Sequence, residues 1–155
     1  MTELIIGSDG FIGGRLSEII PEAETTTIKT LNLLSPGVIP QADVVYFCAS
    51  VTGFKECEGN HIAYRTNVDG TLTVIRQLLK QGSFVVWLSS CASEWSHSAY
   101  GLQKSLVEIA IQMIPNTAII RAGGKVTSNN VTDLCWLMTE VGRNKKEGIT
   151  LWNVS

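Results

Sequence analysis

Apolar positions along this chain follow two rhythms. Short unbroken apolar runs at residues 4–6, 44–47, 84–88 and 118–120 alternate with segments whose apolar residues recur every three or four positions. Unbroken runs suit strands covered on both faces, and the longer period suits the helices that connect them. The pattern predicts an α/β protein with a mostly parallel sheet flanked by helices. Leu4-Ile5-Ile6 leads into a glycine-rich turn over residues 7–13, then a helix through Leu16, Ile19 and Ile20 that Pro21 stops. Residues 25–29 read as a second, weaker strand. Residues 31–41 carry Pro36, Gly37 and Pro40, so they form a loop or a single helical turn. A full-size α/β fold of this kind would place another helix and strand there.

Two helices stand out in the second half. Residues 67–80 carry Val68, Leu72, Ile75 and Leu79 at helical spacing, with Gly82 as the stop. Residues 100–113 carry Leu102, Leu106, Ile109 and Met113 on one stripe. Val74 and Leu78 flank the first stripe, and Val107 and Ile111 the second, which is more apolar surface than one sheet face buries. Residues 131–141 read as a helix and 149–154 as a final extended piece. Residues 1–155 hold no internal repeat or linker and read as a single domain.

The chain has 155 residues, 45% of them hydrophobic, which excludes a disordered protein. A net charge of −2 and a pI near 5.7 give no reason to expect nucleic acid or an anionic membrane surface. No apolar run is long enough to span a bilayer, and the N-terminus lacks the marks of a signal peptide. Cys48, Cys57, Cys91 and Cys135 show no paired spacing, and His61 and His97 are the only histidines. No metal site is expected, and reduced thiols in a cytoplasmic protein are.

The turn Gly7-Ser8-Asp9-Gly10-Phe11-Ile12-Gly13 follows a strand and opens a helix, the context that a dinucleotide-binding turn requires. Gly7 lets the chain leave the strand sharply, Gly10 lets backbone approach a pyrophosphate, and Gly13 lets helix pack on sheet. The helix start favours an anion. Asp9 either caps the helix or faces solvent. The second strand lacks the terminal carboxylate that binds an adenosine ribose. Lys29 or Arg15 could instead meet a 2′-phosphate, and the plain alternative makes Lys29 a solvated strand end. The cofactor expected is NAD or NADP, undecided.

Tyr100 and Lys104 lie four residues apart, one turn along a helix face. A phenol has a reference pKa near 10, and a fixed cation lowers it. A drop of about three units corresponds to roughly 4 kcal/mol of differential stabilisation.

Taken in order, these features resemble the extended short-chain dehydrogenase/reductases, the nucleotide-sugar epimerases, dehydratases and reductases. The turn at 7–13 resembles their cofactor turn, and Phe47-Cys48-Ala49-Ser50 a strand that ends beside the cofactor. Asn67-Val68-Asp69-Gly70-Thr71 resembles an Asn-Val-x-Gly-Thr helix start, and Leu88-Ser89-Ser90-Cys91-Ala92-Ser93 a serine-rich active-site strand. Ile120-Arg121-Ala122-Gly123, Val131-Thr132-Asp133-Leu134 and Trp152-Asn153-Val154 resemble later segments of the family. The resemblance implies a Rossmann-like fold, with Tyr100 as general acid/base. Lys104 would hold the nicotinamide ribose and tune Tyr100. Cys48, Ala49 and Ser50 would lie beside the cofactor, and a hydroxyl would polarise the substrate carbonyl. Asn67 would lie near the cofactor or cap its helix. The resemblance also implies a homodimer paired through the helices starting near Asn67 and Tyr100.

Three departures bear on function. Cys91 occupies the usual hydroxyl position of the active-site strand, so either Ser90 substitutes through a different register or a thiol does a weaker version of the job. The stretch from Cys91 to Tyr100 is short, and Trp95, Ser96 and His97 must turn tightly there. His97 is either an added donor or an idle loop residue. The substrate lobe is nearly absent, reduced to residues 125–130. The expected function is an NAD(P)-dependent oxidoreductase, or a nucleotide-sugar epimerase, dehydratase or reductase, acting on a small molecule. The alternative is a non-catalytic dinucleotide-binding or partner-binding protein of the same fold. A third possibility is that a partner chain supplies the lobe.

Overall fold

All four residues of the first strand, β1 (Glu3–Ile6), are buried, and so are those of β3 (Val44–Phe47). Strands of that kind must sit inside a sheet covered on both sides. The computed structural model describes residues 1–94 and 97–153 and has this arrangement. After β1 come α1 (Phe11–Ile19), β2 (Glu24–Thr26), β3, and the short helices α2 (Phe54–Cys57) and α3 (His61–Tyr64). Then follow α4 (Thr71–Lys80), β4 (Phe84–Ser90), α5 (Ala99–Ile111), β5 (Thr117–Gly123), α6 (Val131–Arg143) and β6 (Gly148–Asn153). The six strands form one sheet in the order β2-β1-β3-β4-β5-β6, every neighbouring pair parallel. This is a Rossmann-like α/β fold. Among the described residues no helix is long and apolar enough to cross a membrane, and the four cysteines are free.

Alternate strand residues feed two cores. Leu4, Ile6, Val45, Phe47, Val85 and Trp87 meet Val74, Ile75 and Leu78 of α4 and Val107 and Ile111 of α5 on one face. Ile5, Val44, Tyr46, Val86 and Ile120 meet Leu16 of α1 and Leu134, Cys135 and Met138 of α6 on the other. Residues 27–43 carry no further helix or strand. Leu31, Leu33, Ile39 and Ala42 of this loop pack into the first core instead. A β-carbon on Gly70 would lie 2.7 Å from the Leu33 carbonyl oxygen, so that glycine admits the loop.

Several elements differ from the sequence reading. The stripe Leu102, Leu106, Ile109 and Met113 is not the core face of α5. Val107 and Ile111 are fully buried, while Ile109 is 65% and Met113 87% exposed. Apolar content marks both sides of this helix, so periodicity alone assigned the wrong one to the sheet. The first long helix begins before Asn67. Asn60 caps α3 by accepting from the Ile62 and Ala63 N–H groups, both at 3.1 Å, and a π-helical turn, Arg65–Gly70, links α3 to α4. Strand β2 ends at Thr26, because the Thr30 hydroxyl takes the Thr27 N–H at 2.9 Å and draws the chain into a turn. Gly82 does end α4, with φ +86° and the N–H groups of Gly82 and Ser83 donating to Leu79 and Leu78. Trp95, Ser96 and Val154 lie outside the described residues.

Candidate active site

Because β2 and β3 flank β1 on opposite sides, the chain leaves β1 and β3 in diverging directions and a crevice opens beyond their carboxyl ends. A cleft of about 730 Å³ lies there, a size that suits a cofactor or small molecule. It brings together Gly7, Asp9, Gly10, Phe11, Ile12 and Gly13 of the turn, Cys48, Ala49 and Ser50 after β3, and Ser89, Ser90, Tyr100 and Lys104. Ser8, Lys29, Asn67, Cys91 and His97 are not among its lining residues.

The glycines divide by what they serve. Gly7 has φ +90°, and a β-carbon there would lie 2.7 Å from the Ala49 nitrogen. A β-carbon on Gly13 would lie 2.8 Å from the Gly7 carbonyl carbon and collide with its oxygen. The protein's own packing demands both. At Gly10 the nearest atom would be 3.5 Å away, so packing tolerates a side chain that would enter the cleft. Helix α1 has Gly10 at its N-cap, no capping side chain and no acid in its first turn. Its first N–H groups therefore point outward unshared, which favours an anion. Asp9 does not cap this helix. Its Oδ2 accepts from the Ile28 N–H at 3.3 Å. Ser8 donates to the Thr26 carbonyl oxygen at 3.1 Å, away from the cleft.

Lys104 is buried, and its Nζ donates to the Leu88 carbonyl oxygen at 3.1 Å. The ammonium lies 4.8 Å from the Trp87 ring centre and 5.7 Å from that of Tyr100. Burial lowers its pKa to about 8. With one hydrogen bond for three donors, it has N–H groups to spare on the cleft side.

Tyr100 enters the cleft from the first turn of α5, where Ser98 accepts from the Gly101 N–H at 3.0 Å. Phe54 packs edge-on against its ring at 5.7 Å. Burial pushes the phenol above the usual range, and a hydrogen bond with Ser90 only partly offsets this. The lowering expected from Lys104 is therefore not realised in this state, and Tyr100 is a protonated phenol at neutral pH.

Ser90, not Cys91, meets Tyr100. It is the last residue of β4, and its hydroxyl also accepts from the Ala92 N–H at 3.1 Å as the chain turns into a 3-10 helix, Cys91–Glu94. Strand alternation stops there, so of the two alternatives it is Ser90 that lies beside the phenol, and Cys91 is not among the lining residues. Ser89 donates to Glu108 at 2.5 Å, and Arg121 donates to both Glu108 oxygens. Burial alone would raise the Glu108 carboxyl, but these bonds outweigh it and hold it low. The network fixes the end of β4 against α5 and β5.

Asn67 neither caps its helix nor lines the cleft. It accepts from the Val51 N–H at 2.7 Å and donates to the Val51 carbonyl and to Gln103, both at 2.8 Å. It sits in the π-helical turn and holds the segment after β3 in place. Lys29 is exposed. Arg15 donates to Thr132 Oγ1 at 3.1 Å and pairs with Glu18, on the far flank of α1. Cys48 lines the cleft as a neutral thiol, pushed up to about 12 by burial. Sequence reasoning missed Ile28, Asn32, Leu34 and Thr66, which also line the cleft. They come from an irregular loop and a π turn, which carry no periodic signal.

No family model matches the sequence, and no curated protein matches it. Solved structures do match its fold. A dTDP-4-dehydrorhamnose reductase from Clostridium acetobutylicum superposes with a TM-score of 0.83 at 19% identity, over 100% of this chain and 75% of that one. The Bacillus anthracis dTDP-4-dehydrorhamnose reductase, solved in complex with NADP, gives 0.76 at 17% identity over 100% and 75%. A UDP-N-acetylglucosamine 4-epimerase from Methanobrevibacter ruminantium, in complex with UDP-N-acetylmuramic acid, gives 0.78 at 12% over 99% and 76%. This chain thus shares its fold with these reductases and epimerases, and it spans about three quarters of their length.

Proposed function

We propose that this chain is a nicotinamide-dinucleotide-dependent oxidoreductase acting on a nucleotide-sugar or a related small carbonyl compound. One observation carries the reading: Tyr100, Ser90 and Lys104 line the same cleft as the uncapped start of α1. The residues present fit such a cofactor. The backbone of residues 10–12 would receive the pyrophosphate, and the spare donors of Lys104 the nicotinamide ribose. A bound nicotinamide ring supplies or accepts the hydride. Tyr100, protonated at neutral pH, gives its proton to the substrate oxygen, which suits carbonyl reduction. Ser90 donates its one hydroxyl proton to the phenol oxygen and so steadies the phenolate that the transfer leaves behind. The fold neighbours, reductases and epimerases of nucleotide-sugars, support the substrate class.

The rival reading is a dinucleotide-binding protein without turnover. It draws on the short connection between β5 and α6, residues 124–130, which leaves little of this chain to grip a sugar. Turnover of a panel of nucleotide-sugar and small carbonyl substrates by wild type and Tyr100→Phe separates the two. The enzyme reading expects wild-type turnover that falls by about a hundred-fold or more in the variant, with dinucleotide affinity unchanged. Full activity in Tyr100→Phe overturns the mechanism, and binding without turnover of any substrate favours the rival.

A further inference from the structure

Strand β2 ends without a carboxylate, yet a carboxylate stands at its end. Asp9 comes from the glycine turn, and its Oδ2 accepts from the Ile28 N–H at 3.3 Å, just past Thr26. Its position is fixed by the turn itself. The Gly7 and Ser8 N–H groups both donate to the Thr26 carbonyl oxygen, at 3.1 and 3.0 Å, and the Ser8 hydroxyl donates to the same atom. Asp9 and Ile28 both line the cleft.

A dinucleotide with its pyrophosphate at the start of α1 and its nicotinamide toward Tyr100 lays its adenosine ribose over the end of β2. A carboxylate there accepts hydrogen bonds from ribose hydroxyls, and it repels a 2′-phosphate unless a cation intervenes. Neither candidate cation does. Arg15 is committed to Thr132 and Glu18 on the far flank of α1, and Lys29 is not among the residues lining the cleft.

We propose, resting on the cofactor reading above, that Asp9 takes the part of the missing strand-end acid, binds the adenosine ribose and makes this chain select NAD(H) over NADP(H). The choice differs from that of the Bacillus anthracis neighbour, which is solved with NADP.

Calorimetric titration of NADH and NADPH into wild type, Asp9→Asn and Lys29→Ala tests it. Asparagine keeps an acceptor for the Ile28 N–H, so the turn should hold. Wild type is expected to bind NADH at least about ten-fold more tightly than NADPH. Asp9→Asn should shrink that ratio by about ten-fold, weakening NADH and strengthening NADPH, and Lys29→Ala should leave it unchanged. Equal or tighter NADPH binding by wild type, a ratio unmoved in Asp9→Asn, or a loss of NADPH affinity specific to Lys29→Ala overturns the assignment and leaves the cofactor reading standing. Failure of both dinucleotides to bind at millimolar concentration overturns that reading, and the assignment with it.

Discussion

A β-carbon on Gly13 would lie 2.8 Å from the carbonyl carbon of Gly7, whereas one on Gly10 meets nothing closer than 3.5 Å. The turn therefore contains glycines of two kinds. Gly13→Ala forces backbone apart and should cost about 2 kcal/mol or more in stability. Gly10→Val should leave the unfolding midpoint near that of wild type and abolish dinucleotide binding. Denaturant unfolding and cofactor titration on the two variants check this, and loss of fold in Gly10→Val contradicts it.

Lys104 is an expensive residue to bury. Its amine ionises near 10.5 when unperturbed and about 8 here. Between those values the unfolded chain holds a proton that the folded chain has released, so stability rises with pH across that window. Below pH 8 the penalty is fully present. Lys104→Met should therefore stabilise the cofactor-free protein at pH 7 by about 2 kcal/mol, after the lost Leu88 hydrogen bond is deducted. By about pH 10.5 the gain should be gone, and the lost hydrogen bond should leave the variant about 1 kcal/mol less stable than wild type. Urea unfolding at pH 7 and pH 10.5 measures it, and a destabilised variant at pH 7 would contradict the argument.

Ser90 and Cys91 should separate cleanly in kinetics. Ser90→Ala removes the hydroxyl beside Tyr100 and should lower kcat by about a hundred-fold with little change in dinucleotide affinity. Cys91→Ser, at a half-buried position outside the cleft lining, should leave kcat within about two-fold, since a near-isosteric change there removes no group that faces the cleft. A rate gain in Cys91→Ser would restore the thiol to the site.

The exposed stripe on α5 calls for cover. Leu102 and Ile109 of α5 and Met113 just after it are exposed, and we propose that this apolar patch is an association surface. A homodimer paired through this helix is expected by analytical ultracentrifugation at micromolar concentration, with Ile109→Glu shifting it to monomer. A wild-type monomer at that concentration would count against it.

Much of this molecule was legible without coordinates. Val44 to Phe47 is apolar at every position, a run too short for a helix and suited to a strand covered on both faces, so its alternation with helix-period segments made the layered sheet legible. Gly7 to Gly13 announced its turn because steric demands at glycine are local. Tyr100 and Lys104 share a face because a helix repeats every 3.6 residues. The tertiary structure decided what depends on neighbours far along the chain. It turned Val107 and Ile111, not Ile109 and Met113, to the sheet, since both stripes are apolar and only packing ranks them. Leu31 and Leu33 fill the layer that a further helix would have filled, with no period to reveal it. Asn67 was spent on Val51 and Gln103, and Asp9 was carried to the end of β2, because a side chain's partner is set by which backbone groups the fold leaves within reach.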